Sequence, residues 1–223
     1  MSDFIHKINN KKKQTFIILA AGVNKTRGQS GCKSMIEINK DEKLIDVQIN
    51  IIKKFNITAD IVLATGFQSN TLISHVFKKH SEVRVVENKN YKETTPLESL
   101  RLSLNCSLPQ DTFIIYGDRI FNNKTISFSD MSKPNIVACD KNRNKNSAGL
   151  VYQNNKLKRI TYGAKRGWGQ IFYIPESLFE TFRNIVNNCK KKYYNIFDII
   201  NEFSKTTEFY VHDNKEIKIR EIN

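Results

Sequence analysis

No apolar run in the sequence approaches the length needed to cross a bilayer, and the basic N-terminus lacks the apolar segment of a secretory signal. Membrane-spanning and exported classes are set aside, and a cytoplasmic location is expected. Cysteine is sparse and scattered. Cys32, Cys106, Cys139 and Cys189 form no pair with metal-site or redox spacing. They read as reduced thiols, which suits the cytoplasm. Acidic residues are outnumbered, 22 against 36 Lys and Arg, for a formal net charge of +14. An anionic partner and a merely lysine-rich solvated surface both fit that excess. The lysines are spread along the chain and no nucleic-acid-binding motif is present, so nucleic acid is not the expected partner.

What is present is a globular composition. Hydrophobic residues make up 39% and charged residues 26% of 223, enough for one sizeable core and one domain. Residues 1–14 read as a basic mobile leader carrying Lys11, Lys12 and Lys13, and residues 15–223 as the domain.

The chain is organised around Thr15 to Ile38, TFIILAAGVNKTRGQSGCKSMIEI. Phe16 to Leu19 is a short apolar run suited to a strand buried on both faces. Ala20, Ala21 and Gly22 follow with almost no side chain, and then a loop with Arg27, Gly28, Gly31 and Lys33. Small residues let a ligand approach the backbone, and basic side chains add charge for an anion such as phosphate. A solvated turn fits the same residues. The spacing is neither that of a P-loop nor that of a Gly-x-Gly-x-x-Gly dinucleotide turn.

Periodicity then predicts a helix along Leu44, Val47, Ile51, Ile52 and Phe55, a strand over Ala59–Thr65, a helix at Leu72–Phe77 and a strand at Val83–Val86. Strand–helix–strand–helix–strand order implies parallel strands with helical crossovers, with ligands bound at the carboxyl ends of the strands. Thr95, Pro96 and Glu98 predict a helix start with a capping box. Further strands are expected at Thr112–Tyr116, Asn135–Cys139 and Ile171–Ile174, and a hairpin across Asn154-Asn155. Amphipathic helices follow around Leu178–Val186 and Ile196–Phe203, with closing strands at Glu208–Val211 and Glu216–Ile222. Asp118 after the Thr112–Tyr116 strand fits a turn or helix cap, and as a hard oxygen donor it also fits Mg²⁺. Trp168, the one tryptophan, fits the core, a cleft wall, or a stack on a base or cationic head group.

Leu19-Ala20-Ala21-Gly22, then Arg27, then Lys33, resembles the signature loop of the nucleotidyltransferases that join a nucleotide to a phosphorylated small molecule. That group includes sugar-1-phosphate nucleotidyltransferases, molybdenum-cofactor guanylyltransferase and bacterial phosphocholine cytidylyltransferases. Asn24 stands where that pattern has its second glycine, Arg27 is one place late, and Cys32 replaces a proline. Tyr91, Thr94, Thr95, Ser99 and Leu100 are similar to a segment of the phosphocholine cytidylyltransferases, and FIIYGDRIF to the strand that delivers a metal-binding aspartate.

The resemblance implies a single-domain, Rossmann-like three-layer α/β/α sandwich with a mostly parallel mixed sheet. It implies a Mg²⁺ cofactor, a nucleoside triphosphate donor, with CTP favoured, and a phosphorylated acceptor such as phosphocholine or a sugar phosphate. Arg27 and Lys33 would hold the triphosphate and Asp118 the metal. Leu19, Ala20, Ala21, Gly22, Asn24, Lys25, Thr95 and Ser99 would receive the nucleotide. Tyr91, Thr94, Lys165 and Trp168 would contact the acceptor, with Arg166 an alternative to Lys165. Asn223 stands where the family's second metal carboxylate is expected, and Asp213 is a further candidate. A nucleotide-sugar glycosyltransferase and a non-catalytic nucleotide-binding relative are the rival readings.

Overall fold

The computed structural model describes residues 13–22, 31–141, 147–191, 193–213 and 219–221. Strand β1 (Gln14–Leu19) is followed by the small hairpin β2 (Glu37–Asn39) and β3 (Glu42–Lys43), then helix α1 (Leu44–Phe55). Next come β4 (Asp60–Thr65), α2 (Ser69–Lys79), β5 (Arg84–Glu87), α3 (Pro96–Asn105) and β6 (Asp111–Tyr116). A two-residue β7 (Arg119–Ile120) precedes β8 (Asn135–Lys141), β9 (Ala148–Gln153), β10 (Lys156–Tyr162) and β11 (Arg166–Ile174). Helices α4 (Glu176–Asn188) and α5 (Ile196–Phe203) and strands β12 (Tyr210–His212) and β13 (Arg220–Glu221) complete the chain order.

Nine strands form one sheet in the order β5-β4-β1-β6-β11-β8-β12-β10-β9. β1 lies between β4 and β6, parallel to both, as a strand buried on both faces requires. Its residues alternate between the two layers. Phe16 and Ile18 pack with Ile45, Ile49 and Ile52 of α1 and with Leu72 and Val76 of α2. Ile17 and Leu19 pack with Leu97, Leu100 and Leu104 of α3 and with the apolar stripes of α4 and α5. The expected three layers are therefore present.

The expectation of a mostly parallel sheet needs correction. Among the described residues, parallel pairing runs through β5, β4, β1 and β6 and recurs only between β8 and β12. β11 pairs antiparallel with β6, β8 and β9, and β10 antiparallel with β9 and β12. The physical reason lies in the connections. Asn154-Asn155 is too short for a helical crossover, so β10 reverses against β9, and β11, which runs opposite to β6, β8 and β9, breaks the parallel order of the other half. Asn154 and Asn155 both have positive φ, 51° and 57°, the conformation that a twist-matched two-residue hairpin needs and that asparagine tolerates.

α1 is anchored by a buried acid. Asp46, 2% exposed, accepts a 2.9 Å hydrogen bond from the Lys43 N–H. His75 Nε2 and His80 Nε2 lie 2.9 and 3.0 Å from its Oδ1, and Lys79 Nζ lies 3.3 Å from Oδ2. The cluster clamps α1 to α2. Burial by itself raises the Asp46 carboxyl, but the Lys43 N–H and the two imidazoles outweigh it and hold the group below the usual carboxylate value. A carboxyl depressed in the folded state stabilises above its unfolded pKa, and that stability is lost as pH falls through the folded value. Asp46→Asn is therefore expected to cost about 3 kcal/mol at neutral pH, because Lys79 then faces no charge and the two imidazoles lose their carboxylate partner. Urea unfolding should show that deficit smaller in acid than at neutral pH, shrinking as pH falls from about 4, the unfolded carboxyl's value, toward the lower folded one. An equal deficit at both pH values would refute the charge account.

Candidate active site

β1, β4 and β6 end side by side, with Leu19 paired to Ala64 on one side and Tyr116 on the other. Backbone hydrogen bonds continue the stitching past the strand ends. Ala20 N–H donates to the Ala64 carbonyl at 2.8 Å, Gly117 N–H to the Leu19 carbonyl at 2.8 Å, and Phe67 N–H to the Ala21 carbonyl at 3.1 Å. Side chains would block this approach. A Cβ on Gly66 would sit 2.9 Å from the Ala21 oxygen, and one on Gly117 2.9 Å from the Leu19 oxygen. The two glycines let three strand ends close into one floor.

A cleft of about 280 Å³ opens on that floor. The β1 exit contributes Leu19, Ala20, Ala21 and Gly22. The β5–α3 segment contributes Tyr91, Thr94, Thr95 and Ser99, and the turns beyond contribute Lys33 and Asp118. The structure thus brings together these ten residues, which the sequence had assigned to a common site. Asn24, Lys25, Arg27 and Asn223 lie outside the described residues.

Lys33 and Asp118 come from turns 85 positions apart and meet at 3.3 Å, Nζ donating to Oδ2. Three contacts hold the Asp118 turn. Gln48, fully buried on α1, donates from Nε2 to the Tyr116 carbonyl at 3.0 Å and the Arg119 carbonyl at 2.7 Å. Ser34 Oγ donates to the Gly117 carbonyl at 2.9 Å. Beyond the turn, β7 pairs with β13, placing Glu221 opposite Arg119. Burial, with the Asp118 carboxylate adding to it, pushes the Tyr116 phenol upward, so that wall of the cleft is uncharged at neutral pH.

The opposite wall is a hydrogen-bonded unit. Thr95 caps α3 by accepting from the Leu97 N–H at 3.3 Å, and its hydroxyl donates to the Tyr194 carbonyl at 2.5 Å. Glu98, expected to complete a capping box, is instead held by Arg101. Asn88 has its side chain buried beneath this wall. Its Nδ2 donates to Thr94 Oγ1 and Ser99 Oγ, each at 3.1 Å, while its Oδ1 accepts from the Asn90 N–H at 3.0 Å.

Other candidates fall elsewhere. Lys165 is exposed on the turn before β11 and does not line the cleft. Trp168 is buried, its ring 5.8 Å from that of Tyr116, one residue layer behind the lining. Arg166 and Asp213 bind each other, Nε to Oδ2 at 3.0 Å, and Tyr152 also donates to Asp213. That pairing holds the Asp213 carboxyl low; burial opposes it, and Arg166 and Tyr152 outweigh burial. Among the described residues no group of three or more His, Cys, Asp or Glu is placed to hold a metal. No described helix is long and apolar enough to cross a membrane.

Sequence reasoning missed Ser34, Gln48, Asn88, Arg119 and Gln170. Arg119 directly follows Asp118 and was within reach of the motif. Gln48 sits on the buried stripe of an amphipathic helix, where a polar residue is itself a signal. Asn88 and Gln170 carry none.

No protein-family model matches the chain, and no curated protein matches it. Solved structures do, and they show the fold: it is shared with structures of several nucleotidyltransferases. A CTP:phosphocholine cytidylyltransferase from Streptococcus pneumoniae superposes with a TM-score of 0.76 at 19% identity, over 95% of this chain and 94% of that one. An inositol-1-phosphate CTP transferase from T. maritima gives 0.72 at 14%, over 94% and 88%. A nucleoside-diphosphate-sugar pyrophosphorylase from Vibrio cholerae gives 0.67 at 13%, over 91% and 93%.

Gln48→Met removes both donors to the Asp118 turn while keeping the side chain's length. It should cost about 2 kcal/mol in urea unfolding, because two carbonyls lose their buried partner. Any ligand that needs Asp118 should bind more weakly. Unchanged stability would show that the turn does not depend on this amide.

Proposed function

We propose that the chain is a nucleotidyltransferase that transfers a nucleoside monophosphate, with CTP the favoured donor, to a phosphorylated small molecule and releases pyrophosphate. The observation that carries this reading is the Lys33–Asp118 pair on the cleft floor, at the joined ends of β1 and β6. One cation and one carboxylate from separate turns meet where small residues expose backbone. That suits a triphosphate better than a sugar or an apolar ligand.

The donor set fits a magnesium ion. Asp118 Oδ1 is buried and accepts no hydrogen bond among the described residues, facing the Arg119 guanidinium at 3.3 Å, and Mg²⁺ takes one or two carboxylates together with phosphate oxygens. When bound, the ion would supply neutralisation of phosphate charge. The chain's own residues do the rest. Ala20, Ala21 and Gly22 admit the nucleotide close to the backbone. Lys33 holds the triphosphate and offsets charge gathering on the leaving pyrophosphate. Arg27 is proposed to share that task. Thr95 and Ser99 are proposed to contact the nucleotide, and Tyr91 and Thr94 the acceptor.

An acceptor phosphate oxygen forms the new bond to the α-phosphorus, and the bond to the β-phosphate oxygen breaks with its electron pair leaving on pyrophosphate. The attacking phosphate is already anionic, so no protein base is needed, and positioning supplies most of the acceleration. The cytidylyl assignment is supported by the Tyr91–Leu100 outline and by two structural neighbours whose names specify CTP. Phosphocholine and a sugar phosphate are both in scope as acceptor.

Purified protein with CTP, Mg²⁺ and a panel of phosphomonoesters is expected to release pyrophosphate with one of them. Asp118→Asn should lower that rate about a hundredfold or more without moving the melting temperature. Full turnover in Asp118→Asn would remove the metal assignment. Nucleotide binding with no pyrophosphate from any acceptor would leave a non-catalytic relative.

A further inference from the structure

Opposite Lys33, a second cation is built into the cleft. Arg119 lines it and is 8% exposed. Its Nε and Nη2 both donate to Gln170 Oε1, at 2.9 and 2.5 Å, and its Nε lies 3.3 Å from Asp118 Oδ1. Gln170 also lines the cleft and is held in a left-handed conformation, φ 57°, between the two stretches where β11 pairs regularly with β8. A non-glycine residue in that region costs energy and persists only where its surroundings enforce it. Here the break in pairing turns a glutamine of a sheet strand into the cleft, where its amide oxygen fixes the guanidinium.

We infer that Arg119 is the phosphate ligand of the acceptor, a phosphomonoester, and that Gln170 is the residue positioning it. The inference rests on the transferase reading above. In-line displacement places the attacking and departing groups on opposite sides of the transferred phosphorus. The cleft repeats that arrangement in its charges. Asp118 is approached through Oδ2 by Lys33, from the turn that follows β1, and through Oδ1 by Arg119, from the β6–β11 side. The Lys33 side adjoins the small residues proposed for the nucleotide, so the Arg119 side is left for the incoming phosphate. Arg119, Lys33 and Asp118 are the charged groups among the described lining residues, two cations against one anion. A guanidinium held in a fixed orientation binds phosphate through charge-assisted N–H groups of defined geometry, which an ammonium lacks. Lys165, exposed outside the cleft, is not needed for this role.

The test separates acceptor from donor by using inorganic phosphate as the probe, titrated by calorimetry into protein saturated with α,β-methylene-CTP and Mg²⁺. Wild-type protein should take up phosphate. Arg119→Met should weaken it about tenfold to a hundredfold, the loss of a charge-assisted pair, while the affinity for the CTP analogue stays within about twofold. Arg119→Lys should recover part of the loss. Gln170→Ala leaves the guanidinium in place but unaimed and should weaken phosphate by a smaller factor, again with the CTP analogue unchanged. Phosphate affinity unmoved in both Arg119→Met and Gln170→Ala overturns the inference, as does loss of the CTP analogue instead of phosphate. Wild-type protein that binds the analogue but no phosphate also overturns it, leaving the transferase reading in place. Failure to bind any nucleoside triphosphate would sink both together.

Discussion

The side-chain amide of Gln48 spans the turn that carries Asp118, one N–H on the carbonyl before it and the other on the carbonyl after it. Everything proposed for the cleft depends on that grip. A carboxylate on a free turn would sample many positions, and a positioned charge is worth more than a mobile one. Gln48 is in turn fixed by α1, which packs on β1 through Ile45, Ile49 and Ile52 and is tied to α2 at Asp46. The chain of causes runs from an amphipathic helix, through a buried carboxylate that locks it, to one amide and the turn beside it.

Charge balance sets the second constraint. Buried ions are costly unless paired, and Asp118, Lys33 and Arg119 meet at distances of 3.3 Å rather than in tight contact. Asp46 and Asp213 show the contrast: each is enclosed by close partners and its carboxyl is held low. Those two acids brace the fold, while Asp118 keeps a buried oxygen with no hydrogen bond.

Much of this was legible in the sequence because it followed from local rules. The Phe16–Leu19 run, the Asn154-Asn155 turn and the Thr95-Pro96 helix start each reflect one stretch of chain with one favoured conformation. The place of the Ala20–Lys33 loop followed from the rule that ligands sit at the carboxyl ends of parallel strands, while Tyr91, Thr94, Thr95 and Ser99 were named through the resemblance to nucleotidyltransferases. The direction of β11 was harder: it inserts between β6 and β8 and runs opposite to both, a placement set by partners far along the chain rather than by its own pattern. Gln170 and Asn88 were invisible for a deeper reason. Gln170 acts through Arg119, 51 positions away, and Asn88 through hydroxyls across a loop, and periodicity carries no information about either pairing. Lys165 was misjudged in the opposite sense: proximity to a motif in sequence did not bring its side chain to the cleft.

The measurement that bears most directly on the account is the melting temperature with CTP, UTP, GTP, ATP and dTTP, each with and without Mg²⁺. A ligand that binds only the folded chain stabilises it by mass action, about 2.7 kcal/mol at a hundredfold excess over Kd. The account predicts a clear rise with CTP that depends on Mg²⁺ and is weaker with the other four. No rise with any triphosphate would contradict it, and would mean that the Lys33–Asp118 cleft does not receive a nucleotide.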